Sequence, residues 1–310
     1  MDRNQPIKGR ATPWNFRRDA LLYVLLALPI AYFLLFRYGP MYGVSIAFKD
    51  YNIFAGVWES DWNGWTQFQE LFSNRQFYQV VWNTLFLNLL DLLVGFPIPI
   101  LLALLINEIR MARFKKAVQT LLYLPHFLSW VIIGGLVLQV FAPDRGLVNI
   151  VLKAVGLAQV DFLTNGLNWV AVYVGAGVWQ SAGWGTIIYL AAMAGVSPEL
   201  YEAAQVDGAS RYQRIRHITL PSIAPVIVIL FILQVGRVTS ISFDRPFILS
   251  NPLVTDYAQV ISTYVYDVGL KSMRHNLATA VGLFQSAIGL VLLLLTNWVA
   301  EKNGQKGIYR

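Results

Sequence analysis

Six apolar runs, separated by polar or charged stretches, pattern this chain: 20–36, 80–106, 117–141, 167–194, 222–241 and 277–300. A membrane-crossing helix needs roughly 17–25 residues, and every run reaches that length. The pattern predicts an all-α, polytopic membrane protein with six transmembrane helices. Residues 1–19 are polar and carry Arg3, Lys8, Arg10, Arg17 and Arg18. A cleaved signal peptide would have an apolar core of about 7–15 residues and then a small-residue cleavage site. Here the run is longer and Arg37-Tyr38-Gly39-Pro40 follows, so it reads as a retained first span. Arg17-Arg18 reads as flanking charge.

The second run carries Asn83, Asn88, Asp91, Pro97 and Pro99. The prolines predict a local break or kink. A charge near mid-span costs about 2.5–3.5 kcal/mol on insertion scales and therefore faces protein or water. Asp91 thus either lines a pathway or pairs with a neighbouring helix. In the fourth run, Gly175, Gly177, Gly183 and Gly185 permit close helix contact.

Between the fourth and fifth runs lies a polar stretch, 197–221. Ser197 is placed to cap a helix, with Pro198 at its first position and Glu199 in its first turn. Leu200, Ala203, Ala204 and Asp207 fall on one narrow face, and the small residues leave room for another surface. Gly208 is where this helix should stop, because glycine turns freely into the left-handed conformation. A second short helix is expected at about 210–218, with Arg211, Arg214 and Arg216 on its surface, and Pro221 opens the next run. On the residues alone, this is either a plain helical connector or a docking element.

Composition narrows the class. Hydrophobic residues make up 56% and charged residues 13% of 310, against about 25% charged in soluble domains. The net charge of +7 is explained by cytoplasmic loops, with no need of nucleic acid. The chain has no cysteine, which excludes disulfides, thiolate metal sites and cysteine catalysis. His126, His217 and His275 lie in separate segments without ligand spacing, so no metal site is expected. There is no glycine-rich nucleotide loop and no recognisable catalytic set. The chain reads as non-catalytic, binding no cofactor of its own.

Six spans put both termini on one side. Fifteen Lys and Arg fall on the side of residues 1–19, 107–116, 195–220 and the tail, and nine on the other. The positive-inside rule makes the first side cytoplasmic. The expected organisation is a cytoplasmic arm (1–19), a first span (20–36), an external segment (37–79), a core of five helices (80–300) with a cytoplasmic loop at 195–221, and a cytoplasmic tail (301–310). External loops hold nine basic and nine acidic residues, a balance that does not favour an acidic solute.

The polar stretch resembles the EAA motif of ATP-binding-cassette (ABC) importer permeases: Glu202-Ala203-Ala204, then Gly208, Ile218 and Leu220-Pro221 at the motif's spacing. Similarity extends from about Tyr38 to the end of the chain through YGVSIAFKDYN (42–52), GFPIPILLALLINE (95–108), YLPHFLSWV (123–131), GWGTIIYLAAMAGVSPELYEAA (183–204) and TYVYDVGL (263–270). It is similar to the carbohydrate branch, and within that to permeases for complex oligosaccharides and polysaccharide fragments. The resemblance implies a type I importer (MetI-like) membrane fold. Glu202, Ala203, Ala204, Asp207, Gly208, Ile218, Leu220 and Pro221 would then couple to an ATPase. It further implies a second, similar permease subunit and two cytoplasmic ATPase subunits that bind ATP and magnesium. An extracytoplasmic binding protein would deliver a carbohydrate, and transport would run by alternating access in the cell membrane.

Two departures stand out: Arg245-Pro246 after Phe243-Asp244, where glutamine and an aliphatic residue are expected, and Ser262 in place of aspartate. Both fall in what reads as an external segment. Asn83, Asn88, Asp91, Trp130, Trp179 and Trp184 are candidate pathway residues, with Trp82 beside them. The tryptophans equally suit an interfacial belt. The alternatives are an ABC permease for an amino acid, peptide or phosphodiester, and a self-contained secondary transporter. The latter is disfavoured because no internal repeat is evident and Asp91 is the one clear intramembrane charge.

Overall fold

The structure is a computed structural model that describes residues 20–302; the expected arm at 1–19 and the tail from 303 onward lie outside the described residues. The chain is helical apart from loops and a two-stranded antiparallel ribbon, Lys49–Asp50 with Asp61–Trp62. Among the described residues, four helices are long and apolar enough to cross a membrane: Ala20–Phe48, Arg75–Asn107, Arg211–Gly236 and His275–Lys302. A fifth candidate is the pair Ala112–Phe127 and Trp130–Phe141, bent by 104°. The Gly166–Ala194 helix has 29 residues, about 43 Å at 1.5 Å per residue. It is diluted by glycines and polar residues and falls short of the apolarity of the other four. Eleven of its residues, Trp169 and Tyr173 among them, are buried. A helix enclosed by protein has no need of a lipid-like surface.

Among the described residues, proline positions explain three of the four π-helical turns; the fourth, Asp267–Lys271, has no proline after it. Leu34–Tyr38, Asp91–Gly95 and Ile215–Thr219 are single π-helical turns, and each ends two residues before a proline: Pro40, Pro97 and Pro221. A proline has no N–H for the carbonyl four residues back, and its ring clashes with that carbonyl. Widening the preceding turn moves the carbonyl aside and lets the helix continue. The expected break near Pro97 is therefore a bulge within one rod, Arg75–Asn107. Likewise 210–218 is no separate helix, because backbone helix runs unbroken from Arg211 to Gly236. The first span also overruns its expected end at 36 and continues to Phe48. The third run, read as one straight span over 117–141, instead breaks at a 3-10 turn, Leu124–Phe127, that contains Pro125.

Close packing depends on a few glycines. A Cβ at Gly183 would lie 1.9 Å from the Leu122 carbonyl oxygen, and one at Gly185 3.0 Å from Pro99. These contacts set the broken span and the second span directly against Gly166–Ala194. The core lies along that helix: around Trp169 and Tyr173 at one end, and around Tyr189, Met193, Leu104 and Ile223 at the other.

Candidate functional site

Two regions carry the residues singled out in the sequence. In the loop after Gly166–Ala194, the Ser197 hydroxyl accepts from the Glu199 N–H (3.3 Å), opening helix Pro198–Val206. Gly208 adopts φ +75°. Its N–H donates to the Gln205 carbonyl (3.1 Å) and the Ala209 N–H donates to the Ala204 carbonyl (2.9 Å). This pair of bonds is a Schellman closure, which requires the left-handed residue. Ser210 and Gln213 then form a reciprocal capping box that starts the next helix. Leu200, Glu202, Ala203, Asp207 and Gly208 are exposed; Ala204 is half-buried. Tyr201, on the inner side, shares a 2.9 Å hydrogen bond with the buried Thr219 hydroxyl. Leu220 packs into the core beside Tyr189 and Met193, Ile218 is half-buried, and Pro221 opens the Leu220–Gly236 segment. The motif thus divides into an exposed helix, Pro198–Val206, and a rooted end.

Within the bundle, Asp91 lies on the π turn of the second span and pairs with Arg245. Arg245 Nη1 donates to Asp91 Oδ2 at 2.7 Å, and Nη2 to Oδ1 at 3.1 Å and to the Tyr173 carbonyl at 2.6 Å. The guanidinium lies 3.7 Å from the Tyr173 ring centroid and 5.5 Å from that of Trp130. A Cβ at Gly177 would come within 2.4 Å of it, so glycine there makes room for the charge. Arg245 is 8% exposed. The segment read as external therefore returns into the bundle: helix Asp244–Leu249 packs on Trp130–Phe141 and is bonded to Gly166–Ala194, where the Trp169 Nε1–H donates to the Leu249 carbonyl at 2.7 Å. The reading of Asp91 as the one clear intramembrane charge is corrected accordingly, since its partner comes from that returning segment.

This pair borders a cavity of about 400 Å³ lined by Gly177, Ser181, Tyr189, Gln234 and Arg237 among others. Two guanidinium groups and one carboxylate face it. Of the tryptophans, Trp184 is seven residues from Gly177 and so nearly on the same helical face. It stacks on His126 with centroids 4.6 Å apart and planes 8° apart. Trp179 lies almost opposite and lines a separate apolar cavity with Ile133, Val137 and Phe141. Trp130 packs in the core against Arg245, and Trp82 is exposed, stacked on Phe86. Asn83 donates to the Asp256 and Gln259 carbonyls (2.8 and 3.0 Å), and Asn88 to the Val238 carbonyl (2.6 Å). These two amides tie the second span to the 238–259 segment. Among the candidates, Asp91 lines the cavity with Arg245. Arg245, Arg237, Gln234 and Tyr173 were not read as site residues. The signal for Arg245 was its presence where an uncharged residue was expected. Among the described residues, no cluster suits a metal ion.

Residues 76–304 match the family model described as binding-protein-dependent transport system inner membrane component. The chain is 46% identical over 288 residues to the polygalacturonan/rhamnogalacturonan transport system permease protein YteP of Bacillus subtilis (strain 168), covering 93% of this chain and 90% of that one. It is 41% identical over 303 residues to Protein LplB of the same organism, covering 97% and 95%. Among solved structures, it superimposes with TM-score 0.85 and 43% identity on a chain of a bacterial ABC transporter involved in the import of the acidic polysaccharide alginate, covering 93% of this chain and 97% of that one. A second match, with TM-score 0.87 and 42% identity, covers 94% and 98%; it is to the bacterial alginate ABC transporter in complex with alginate pentasaccharide-bound periplasmic protein. This chain belongs to the binding-protein-dependent transport system inner membrane component family, whose members are multi-pass permeases of ABC importers.

Proposed function

We propose that this chain is one permease subunit of an ABC importer for an oligosaccharide that contains uronic acid. The observation that carries the substrate class is the cavity beside Gly166–Ala194, where Asp91 neutralises Arg245 and the exposed Arg237 leaves a net positive charge. A guanidinium presents planar donors matched to a carboxylate. The net charge of the external loops is zero, but charge at the cavity matters more for recognition than a sum over exposed loops, which salt screens. The polygalacturonan/rhamnogalacturonan and alginate relatives support the same class. Trp184 stacks on His126 and is not among the residues that line the cavity.

In this reading the cavity is half of a path completed by a second, similar permease. A binding protein delivers the sugar from outside. Two cytoplasmic ATPase subunits hold ATP and magnesium, and their closure acts on the exposed Glu202–Gly208 surface. Both termini are cytoplasmic in this reading, which the charge asymmetry supports; reporter fusions at Arg211 and beyond Gly304 would both give a cytoplasmic signal. The test is purification through a tag on this chain, subunit identification, and ATP-dependent uptake by reconstituted vesicles of labelled oligogalacturonate and its methyl ester. Uptake of the acid form well above the ester is expected. Equal uptake would overturn the uronate assignment, and lack of an associated ATPase would overturn the importer reading.

A further inference from the structure

We propose that the turn at 52–60 anchors this chain in the lipid headgroup layer, with Trp58 and Tyr42 as its aromatic pair. The turn is firmly built. The Lys49 ammonium donates to the Val57 and Trp58 carbonyls at 2.7 and 3.4 Å. The Ser60 hydroxyl donates to the Gly56 carbonyl (2.6 Å) and accepts from the Asn52 N–H (3.0 Å). Gly56, at φ +74°, supplies the left-handed step. What this scaffold presents is an indole 82% exposed. It lies parallel to the ring of Tyr42, with centroids 5.9 Å apart and planes 8° apart. The turn therefore folds back along the first helix, on a side where Tyr38, Met41 and Tyr42 are all exposed.

Depth follows from helix geometry. Eighteen residues of helix from Ala20 to Tyr38 rise about 27 Å, and four of 3-10 helix to Tyr42 add about 8 Å. A hydrocarbon core is about 30 Å thick, and about 40–45 Å with headgroups. Ala20 follows the polar stretch at one face, so Tyr42 and Trp58 lie in the headgroup layer of the other. The last helix supplies a second ruler. His275 meets Tyr51 edge-on at 5.9 Å. Trp298, 23 residues on, is exposed, and the Lys302 ammonium lies 5.1 Å from its ring centroid. That places an aromatic–cation pair about 35 Å away, at the opposite interface. An indole suits such a layer because its ring is apolar and its N–H finds partners there.

The test uses the full chain in phosphatidylcholine/phosphatidylglycerol nanodiscs. Because the chain has no cysteine, single cysteines report without background. Nitroxides at Trp58→Cys, at Leu28→Cys in the first helix and at Val206→Cys in the cytoplasmic loop would be compared for collision with oxygen and with a water-soluble nickel chelate. The label at 58 should be several-fold less open to the chelate than that at 206, and less open to oxygen than that at 28. In lipids brominated near the carbonyl, Trp58→Phe should remove a measurable share of the tryptophan quenching. A label at 58 as open to chelate as that at 206 would overturn the proposal. So would a label shielded from both reagents, which would mean that another protein covers the turn. Unchanged quenching in Trp58→Phe counts against it equally.

Discussion

Separating Asp91 from Arg245 should destabilise the bundle strongly and non-additively. The side chains are 20% and 10% exposed and share two hydrogen bonds. Breaking a buried pair by removing one partner costs about 3–5 kcal/mol, mostly because the survivor is left uncompensated. In Asp91→Asn the guanidinium keeps the Tyr173 carbonyl and two aromatic rings. Such rings return about 0.5–2 kcal/mol, so the loss belongs at the low end, about 3 kcal/mol. In Arg245→Gln the carboxylate loses both of its guanidinium donors and the rings lose their cation, so the loss belongs near the high end, about 5 kcal/mol. The double variant buries no charge. It should be more stable than the sum of the single losses predicts, with a coupling of at least about 1.5 kcal/mol. The assay is unfolding by dodecyl sulfate titration of the purified subunit in mixed micelles, for all four corners of the cycle. Losses that add to within about 0.5 kcal/mol would refute the idea that the two charges hold each other in place.

Three further outcomes are expected. Gly183→Ala should lower the melting temperature in detergent, since its Cβ would meet the Leu122 backbone and overpacking costs about 1–3 kcal/mol; Gly175→Ala, with nothing within 4 Å, should not. Gly208→Val should insert normally but lose co-purification with the ATPase, because a β-branched residue at φ +75° costs about 1–2 kcal/mol or more and shifts the Pro198–Val206 helix. Arg274 donates to Glu70 and holds its carboxyl below the ordinary 4.5. That stabilisation is present above pH 4.5 and is lost as pH falls through the lowered value; both groups are about 43% exposed, so it amounts to no more than about 1 kcal/mol. Thermal unfolding should show the native chain above Glu70→Gln by a constant margin between pH 6 and 8, a margin that shrinks on the acid limb as Glu70 is protonated.

The apolar runs were legible because lipid and core impose the same demand on long helices. The cap at Ser197 and the stop at Gly208 were legible because each rests on a local rule. What the sequence hid depends on distance. Asp91 and Arg245 are 154 residues apart, and Arg245 stands beside Asp244 in a segment too polar to read as part of a span. Its burial becomes visible only when Tyr173, Gly177 and Asp91 surround it. Pro97 and Pro99 were read as a local break or kink because the rule concerns one missing hydrogen bond. A single widened turn satisfies that rule while keeping the rod intact. The 104° bend at 124–129 was missed for the opposite reason: hydropathy summed over the run smooths over His126 and Ser129, so it could not register that Pro125 ends one helix and Ser129 caps another.

The absence of a break after Pro221 bears on how the two regions communicate. Had 210–218 been a separate helix, motion in the loop would dissipate at the joint. Instead one rod, Arg211–Gly236, starts in the loop and ends beside Gln234 and Arg237 at the cavity. Tyr201 fastens the Pro198–Val206 helix to it through Thr219. Thr219 is the last residue of the π turn, the point on the rod where backbone hydrogen bonding is already shifted by Pro221. Under the proposed function, a push on the exposed Ala203 face enters the rod at this π turn. Pro225 lies inside the same rod, and a helix bends most easily at such positions. Under the proposed function, force from the ATPase reaches Arg237 by tilting or flexing this rod, without repacking the core around Trp169 and Tyr173. Those residues belong to a separate cluster, held by the Trp169–Leu249 and Arg245–Asp91 contacts. Under the proposed function, the cavity thus has one wall continuous with the loop through the rod and one held by the buried ion pair.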